Sequence, residues 1–410
     1  MPAQNRDHVL DVIRGVAAVQ VVILHLATAY WPEWLLAPAD GAAAQWRATP
    51  LFIPFDGYSA VFLFFGLSGF VLTRAWHSGG PVLLVMAGRY LRLALPALAA
   101  CILAWIAMRL FGHPNLRAGE ALGSSWLRAL WDLRANLPDV FRDGLLDAPL
   151  LGYNGTSQLS EYSGLTPELR LITRAWVPML WTLALEFQGS MLVLILVRLR
   201  QGSMPAWTLV SAVLLSLLAR SVFLCFLMGH LLSFLRLEPA SDAGRRTGRT
   251  LFLGLLLAFA GAWISVLTET GAAGPINTLC NAGLPGIPCL SAYQFQKMMG
   301  GLLEFLGLVL AFGGVIVRRP LLLALGRCSF PLYLGHWPGV VAVGTATYLL
   351  LGSVLGDVPA RLAACVAALA WTAVSVAILL RADLLAQRLS RTLRGWSRRV
   401  EDGRVVRQND

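Results

Sequence analysis

Ten apolar runs, most of them close to twenty residues long, recur from one end of this chain to the other. A helix rising ~1.5 Å per residue needs about 20 such residues to cross ~30 Å of hydrocarbon. The runs are Val9–Tyr30, Gly57–Trp76, Leu91–Phe111, Trp176–Val197, Pro205–Ala219, Ser221–Leu235, Thr250–Leu267, Met298–Val317, Phe330–Leu351 and Pro359–Leu380. Each must satisfy its own backbone hydrogen bonds in lipid, which leaves an all-α, polytopic transmembrane bundle of about ten helices as the expected fold. With 57% hydrophobic and 13% charged residues, the chain of 410 has too few charges to clothe a water-soluble surface. The first run exceeds a signal-peptide core and no small-x-small cleavage site follows it, so it reads as a retained first helix. The fifth and sixth are short, with Arg220 between them, and form either a tight hairpin or an interrupted pair.

The net charge is +11, and its placement decides what it means. The basic residues are almost all Arg, Lys297 being the one lysine, and they flank the apolar runs instead of interleaving with aromatics. That arrangement argues for a lipid bilayer as partner and against nucleic acid. With ten spans, one face receives Arg74, Arg89, Arg92, Arg198, Arg200, Arg236, Arg245, Arg246, Arg249, Arg318, Arg319 and the Arg-rich end from Arg381 to Arg407. The other receives a long segment in which Arg is balanced by Asp and Glu. The positive-inside rule then puts both termini in the cytoplasm. The expected organisation is a transmembrane domain over 1–382, with outer loops at about 112–175 and 268–297, and a basic cytoplasmic tail over 383–410. Amphipathic pieces such as Trp126–Leu137 make the first outer loop a partly ordered cap. Cys280 and Cys289 share the second loop, either as a disulfide or as two thiols; an oxidising compartment would favour the bridge. No metal-ligand spacing, glycine-rich phosphate loop or internal repeat is present, so no metal is expected.

Ionisable groups inside apolar runs are costly in lipid, and each needs a reason. Arg14 and His25 are eleven residues apart, which returns a helix to within ~20° of the same face and about 16 Å along its axis. Asp11, one turn before Arg14, can pair with it. Two readings stay open here: a polar path with an anion anchor at its mouth and a base inside, or a snorkelling Arg and a His bonded to a neighbouring helix. Arg89 and Arg92 lie one turn apart where the third helix begins, and either grip a phosphate or anchor the helix. Glu186, mid-span in Trp181-Thr-Leu-Ala-Leu-Glu186, must be paired or protonated. His336 lies in Ser329-Phe-Pro-Leu-Tyr333-Leu-Gly-His336-Trp-Pro338. His230 fits no larger pattern and reads as structural.

These residues together resemble the acyltransferase-3 family of membrane O-acyltransferases, in its membrane-domain-only form. Leu10-Asp11-Val-Ile-Arg14-Gly15 through His25 is similar to the family's Asp-x-x-Arg-Gly and Arg-x10-His motifs. Phe64-Phe-Gly-Leu-Ser68-Gly69-Phe70 resembles its second-helix signature, Arg89-Tyr-Leu-Arg92 its Arg-x-x-Arg motif, Trp181 to Glu186 its Trp-Ser-Leu-x-x-Glu motif and Ser329 to Pro338 its late motif. The matches run in family order from residue 10 to about 340. Thr182 stands where Ser is usual, Phe187 where a second acid is common, Gly189 and Ser190 where an aromatic pair often follows, and Phe330 and Pro331 depart in the late motif.

The resemblance implies a polysaccharide or lipopolysaccharide O-acetyltransferase-like enzyme of the bacterial inner membrane. It implies transfer from cytoplasmic acyl-CoA, acetyl-CoA above all, to a hydroxyl of a sugar or glycan. Arg14, Arg89 and Arg92 would hold the phosphates of the donor, and His25 would be general base or acyl relay. Glu186 would orient His25, while Asp11, Ser68, Trp181, Tyr333 and His336 would line the site. The rival from another class is a transporter or flippase of a glycan or lipid-linked substrate, which also uses intramembrane ionisable groups. Against it, no repeat relates the two halves, and paired Arg suits a phosphate-bearing donor.

Overall fold

The computed structural model describes residues 8–36, 41–76, 81–131, 136–153, 170–234, 248–267, 290–313, 315 and 317–408, with side chains to 393. Every long apolar run is helical. In chain order the principal helices begin with α1 (His8–Tyr30), α2 (Gly57–Ala75), α3 (Val82–Phe111), the short α4 (Pro114–Ala121) and α5 (Ser125–Ala129). They continue with α6 (Trp181–Gly202), α7 (Met204–Leu217), α8 (Phe223–Leu232), α9 (Gly248–Val266) and α10 (Ala292–Phe312). The last two are α11 (Pro320–Leu355), interrupted by a π-helical turn at Gly339–Gly344, and α12 (Asp357–Gln408). Eight of these are long and apolar enough to cross a membrane.

The short pair α7 and α8 resolves the open choice over the fifth and sixth runs. They form a hairpin of two helices about 21 and 15 Å long at ~1.5 Å per residue, each short of the ~30 Å of a full crossing. The turn joining them accepts a hydrogen bond at Arg220 O from Leu290 N, 2.8 Å away, just before α10. The start of α12 is held to the end of α1 by the Arg361–Glu33 ion pair. At the opposite face Ser390 of α12 packs on Gly88 of α3. The start of α12 thus lies beside the end of α1, and its later turns lie beside the start of α3. No break separates residues 383–408 from the membrane domain: they continue α12 itself. Cys280 and Cys289 lie outside the described residues.

Small residues set the closeness of the packing, since apolar burial alone does not drive helices together in lipid. A Cβ on Gly69 would lie 2.2 Å from the carbonyl oxygen of Phe226, so α2 and α8 touch backbone to backbone there. Gly15 does the same for α1 and α11, where a Cβ would meet Leu325 at 2.7 Å. A charged staple closes α2, α9 and α10. Asp56, the N-cap of α2, pairs with Lys297 at 3.2 Å, and Ser265 donates to its other oxygen at 2.5 Å. Both charged side chains are buried, and neither entered the expected site.

The segment between α3 and α6 is more than a cap. A π-helix at Asp143–Leu151 folds back beside α3, where Tyr90 donates to Leu145 O at 2.8 Å and a Cβ on Gly144 would meet Leu98 Cα at 2.6 Å. Carboxylates hold it: Arg170 binds Asp139 and, at 3.0 Å, Asp147. Asp143 accepts from Tyr153 Oη at 2.6 Å and from Trp176 N at 2.7 Å. Burial still pushes the Asp143 carboxyl up to about 6, against those two hydrogen bonds. One result is that α6 begins deep in the bundle, at the level of Tyr333.

Candidate active site

His25 is buried on the inner face of α1, and its ring meets His336 of α11, with Nδ1 2.9 Å from Nε2. The protons of this pair follow from a backbone carbonyl. His336 Nδ1 lies 3.1 Å from Leu332 O, an atom that only accepts, so that nitrogen carries a proton. In neutral His336 Nε2 is then bare, and His25 donates to it through Nδ1–H. What remains is Nε2 of His25, a lone pair with no hydrogen-bond partner among the described residues. An imidazole fixed in this tautomer, with its Nδ1–H held by His336, is oriented to take a proton at Nε2.

Aromatic rings wall the pair. Trp126 of α5 lies parallel to His25 at 5.7 Å, and Trp337 meets it edge-on at 6.2 Å. One turn before His336, Tyr333 donates to Met179 O at 2.8 Å and lies 3.1 Å from the Thr182 hydroxyl. Thr182, in place of the usual Ser, thus keeps a hydroxyl where α6 meets α11, beside Trp181 at the first residue of α6. Phe64 packs edge-on against Tyr333 at 5.8 Å, and Ser68, one turn along the same face of α2, is half-buried.

A second cluster lies nearer the face that holds the start of α1. Arg89 of α3 binds the Glu186 carboxylate and, at 2.9 Å, the Ser190 hydroxyl. Ser190 in turn donates to Glu186 O at 2.5 Å. Arg14 pairs with Asp11 at 3.2 Å, as its spacing predicts, and is close enough to Arg89 to interact electrostatically. Arg92 is half-buried one turn beyond Arg89. Glu186 interacts electrostatically with Tyr333, so the two clusters join into one polar line: Asp11, Arg14, Arg89, Glu186, Tyr333, His336, His25.

The structure departs from expectation on one partnership. Glu186 was expected to orient His25; it is bound to Arg89 and Ser190, and the position beside His25 belongs to His336. The reason is charge: a buried guanidinium requires a counter-ion more than a neutral imidazole does. Sequence reasoning also missed Trp126 and Trp337 as neighbours of His25, and no spacing in the chain signals either contact. His230, which fits no larger sequence pattern, has a partner at each ring nitrogen. Trp207 donates to its Nε2 at 2.9 Å, and its Nδ1 lies 2.9 Å from the Thr73 hydroxyl, which occupies both ring nitrogens. No group of three or more potential metal ligands occurs among the described residues.

No curated protein and no solved structure matches the chain. The family model of the acyltransferase domain matches residues 7–380, from the foot of α1 through the membrane part of α12. That stretch contains both clusters and the whole line between them, and the chain is therefore a membrane acyltransferase belonging to the acyltransferase-3 family.

Proposed function

We propose that the protein moves an acyl group, acetyl by preference, from cytoplasmic acyl-CoA to a hydroxyl of a sugar or glycan, with His25 as general base. The observation that carries this reading is the His25–His336 contact, because it leaves Nε2 of His25 bare at one end of a polar line. At the other end Arg14, Arg89 and Arg92 supply cationic groups suited to the phosphates of the donor, and the basic loops beside them support a cytoplasmic side for that end under the positive-inside rule. His25 Nε2 takes the proton of the acceptor hydroxyl as its oxygen attacks the thioester carbonyl. The C–O bond forms, the C–S bond breaks, and the proton passes to the departing thiolate, leaving CoA as a free thiol. Glu186 acts as a positioning residue that fixes Arg89. The Ser190 hydroxyl, itself donating to Glu186 O, adds a second hold on the same guanidinium.

The test uses full-length protein in proteoliposomes with radiolabelled acetyl-CoA and a glycan fraction. His25→Ala abolishes transfer at unchanged protein level, and His336→Ala lowers it on the order of 10²-fold. Arg89→Ala with Arg92→Ala loses acetyl-CoA binding. Full transfer by the His25 variant would overturn the assignment. Mass spectrometry of surface glycans from a deletion strain, searching for one missing acyl group, identifies the acceptor.

A further inference from the structure

One ionisable side chain inside the bundle takes no part in the polar line that ends at His25. Glu304 lies about 18 Å along α10, a helix of 21 residues and about 31 Å, and so near its middle. It follows Lys297 by seven residues, which returns a helix to within ~20° of the same face and about 10 Å further along. On one side of that face Glu304 N approaches α9, where a Cβ on Gly261 would lie 2.4 Å from it. On the other side Gly301 and Phe305 pack on α2, against Ser59 O and Gly66. Glu304 therefore occupies the crevice that α2 and α9 form over α10, two turns deeper than the Asp56–Lys297–Ser265 staple.

The helices around it bring Glu304 no cation. Lys297 holds Asp56 at 3.2 Å, and the Ser265 hydroxyl of α9 donates to that same carboxylate. Asp56 acts on Glu304 electrostatically, with a charge of the same sign. From α1 and α8, which also touch α10, Arg14, His25 and His230 are engaged with Asp11, His336 and Thr73. Glu304 is half-buried, its Oε2 is fully buried, and no hydrogen bond or ion pair reaches it among the described residues. A carboxylate ionised in that place would have neither counter-ion nor donor in a low dielectric. A proton removes the charge, and it is a ligand that needs no cavity.

We propose that Glu304 is an intramembrane proton-binding site, occupied at neutral pH and separate from the acyl-transfer centre. The bound proton also makes it a modification site for hydrophobic carbodiimides, which reach a half-buried carboxyl from the lipid. The carboxyl proton passes to one carbodiimide nitrogen and the carboxyl oxygen bonds the central carbon. An O-to-N acyl shift then leaves a stable N-acylurea, with every atom of both reactants retained. Asp56, ion-paired with Lys297 and 2% exposed, has no such proton to give.

Two measurements on the full-length protein in liposomes test this. Infrared spectroscopy in heavy water at neutral pH reads the proton directly. The C=O band of a protonated carboxyl should be present in the wild type and lost in Glu304→Gln, which keeps the size and neutrality of the side chain and should elute as the wild type does. Dicyclohexylcarbodiimide followed by proteolysis and mass spectrometry reads the modification. The adduct on Glu304 should exceed that on Asp56 on the order of tenfold. In Lys297→Met, which frees Asp56 of its ion pair, the adduct on Asp56 should rise. Identical carboxyl bands in the wild type and Glu304→Gln overturn the proton site whatever the labelling shows. A missing adduct on Glu304, or equal labelling of Glu304 and Asp56 in the wild type, overturns the modification site.

Discussion

Removing the charge of Glu186 is the sharpest perturbation the structure offers. Its partner Arg89 is always protonated, and the two side chains are only 13% and 11% exposed. Breaking such a pair from one side strands a charge in low dielectric at a cost of about 3–5 kcal/mol. In Glu186→Gln, Arg89 keeps its bond to Ser190 and an amide oxygen in place of the carboxylate. The expected loss is therefore at the lower end, about 3 kcal/mol, roughly a hundredfold in the folding equilibrium. Arg89→Met breaks the same pair from the other side. The double variant Arg89→Met with Glu186→Leu removes both desolvation penalties and should regain most of the stability, about 2 kcal/mol over the worse single variant. Equilibrium unfolding in mixed micelles, followed by the fluorescence of the 14 tryptophans, measures all four proteins. Acetyl-CoA binding should fail in Arg89→Met and in the double variant alike, which separates the fold's need for the pair from the donor's need for Arg89. Single variants as stable as the wild type, or a double variant no better than the worse single, would refute the argument.

Gly69→Ala should cut the yield of folded protein several-fold, because its Cβ has no room beside the Phe226 carbonyl. Gly202→Ala, with nothing within 4 Å, should be silent by size-exclusion chromatography. Asp143 gives a pH signature. Its folded pKa of about 6 lies above the ordinary carboxyl value of 3.8, so between those values the folded state holds a proton that the unfolded state has lost. Its contribution to stability is therefore present below pH 4 and lost as pH rises through 6. Asp143→Asn should flatten that part of the melting-temperature profile, and Tyr153→Phe should extend the decline above pH 6.

Much of the fold was legible because lipid enforces it: an apolar run of the right length has almost no alternative to a helix. The same pressure made Arg14, His25, Arg89, Glu186 and His336 conspicuous. What could not be read was which of them meet. Glu186 and Arg89 are 97 residues apart and His25 and His336 are 311 apart, distances set by helix packing, on which local pattern is silent. The π-helix at Asp143–Leu151 was missed for a related reason. Its polar residues read as an exposed loop, because the carboxylates and the Arg170 that satisfy one another are separated along the chain. Lys297 was grouped with the flanking basic residues and Asp56 was not singled out, and only the packing of α2 against α10 shows them to be one buried pair.

That pair has a practical side. Lys297 is the chain's one lysine, and it is 1% exposed with its ammonium held against Asp56. The folded protein thus presents no lysine side chain to amine-directed chemistry. Crosslinkers and dyes of that kind should leave native helices untouched, and lysine-specific proteases should find no site. Any acylation of Lys297 would record the moment at which α2, α9 and α10 come apart, which makes a single residue a built-in reporter of unfolding in the membrane.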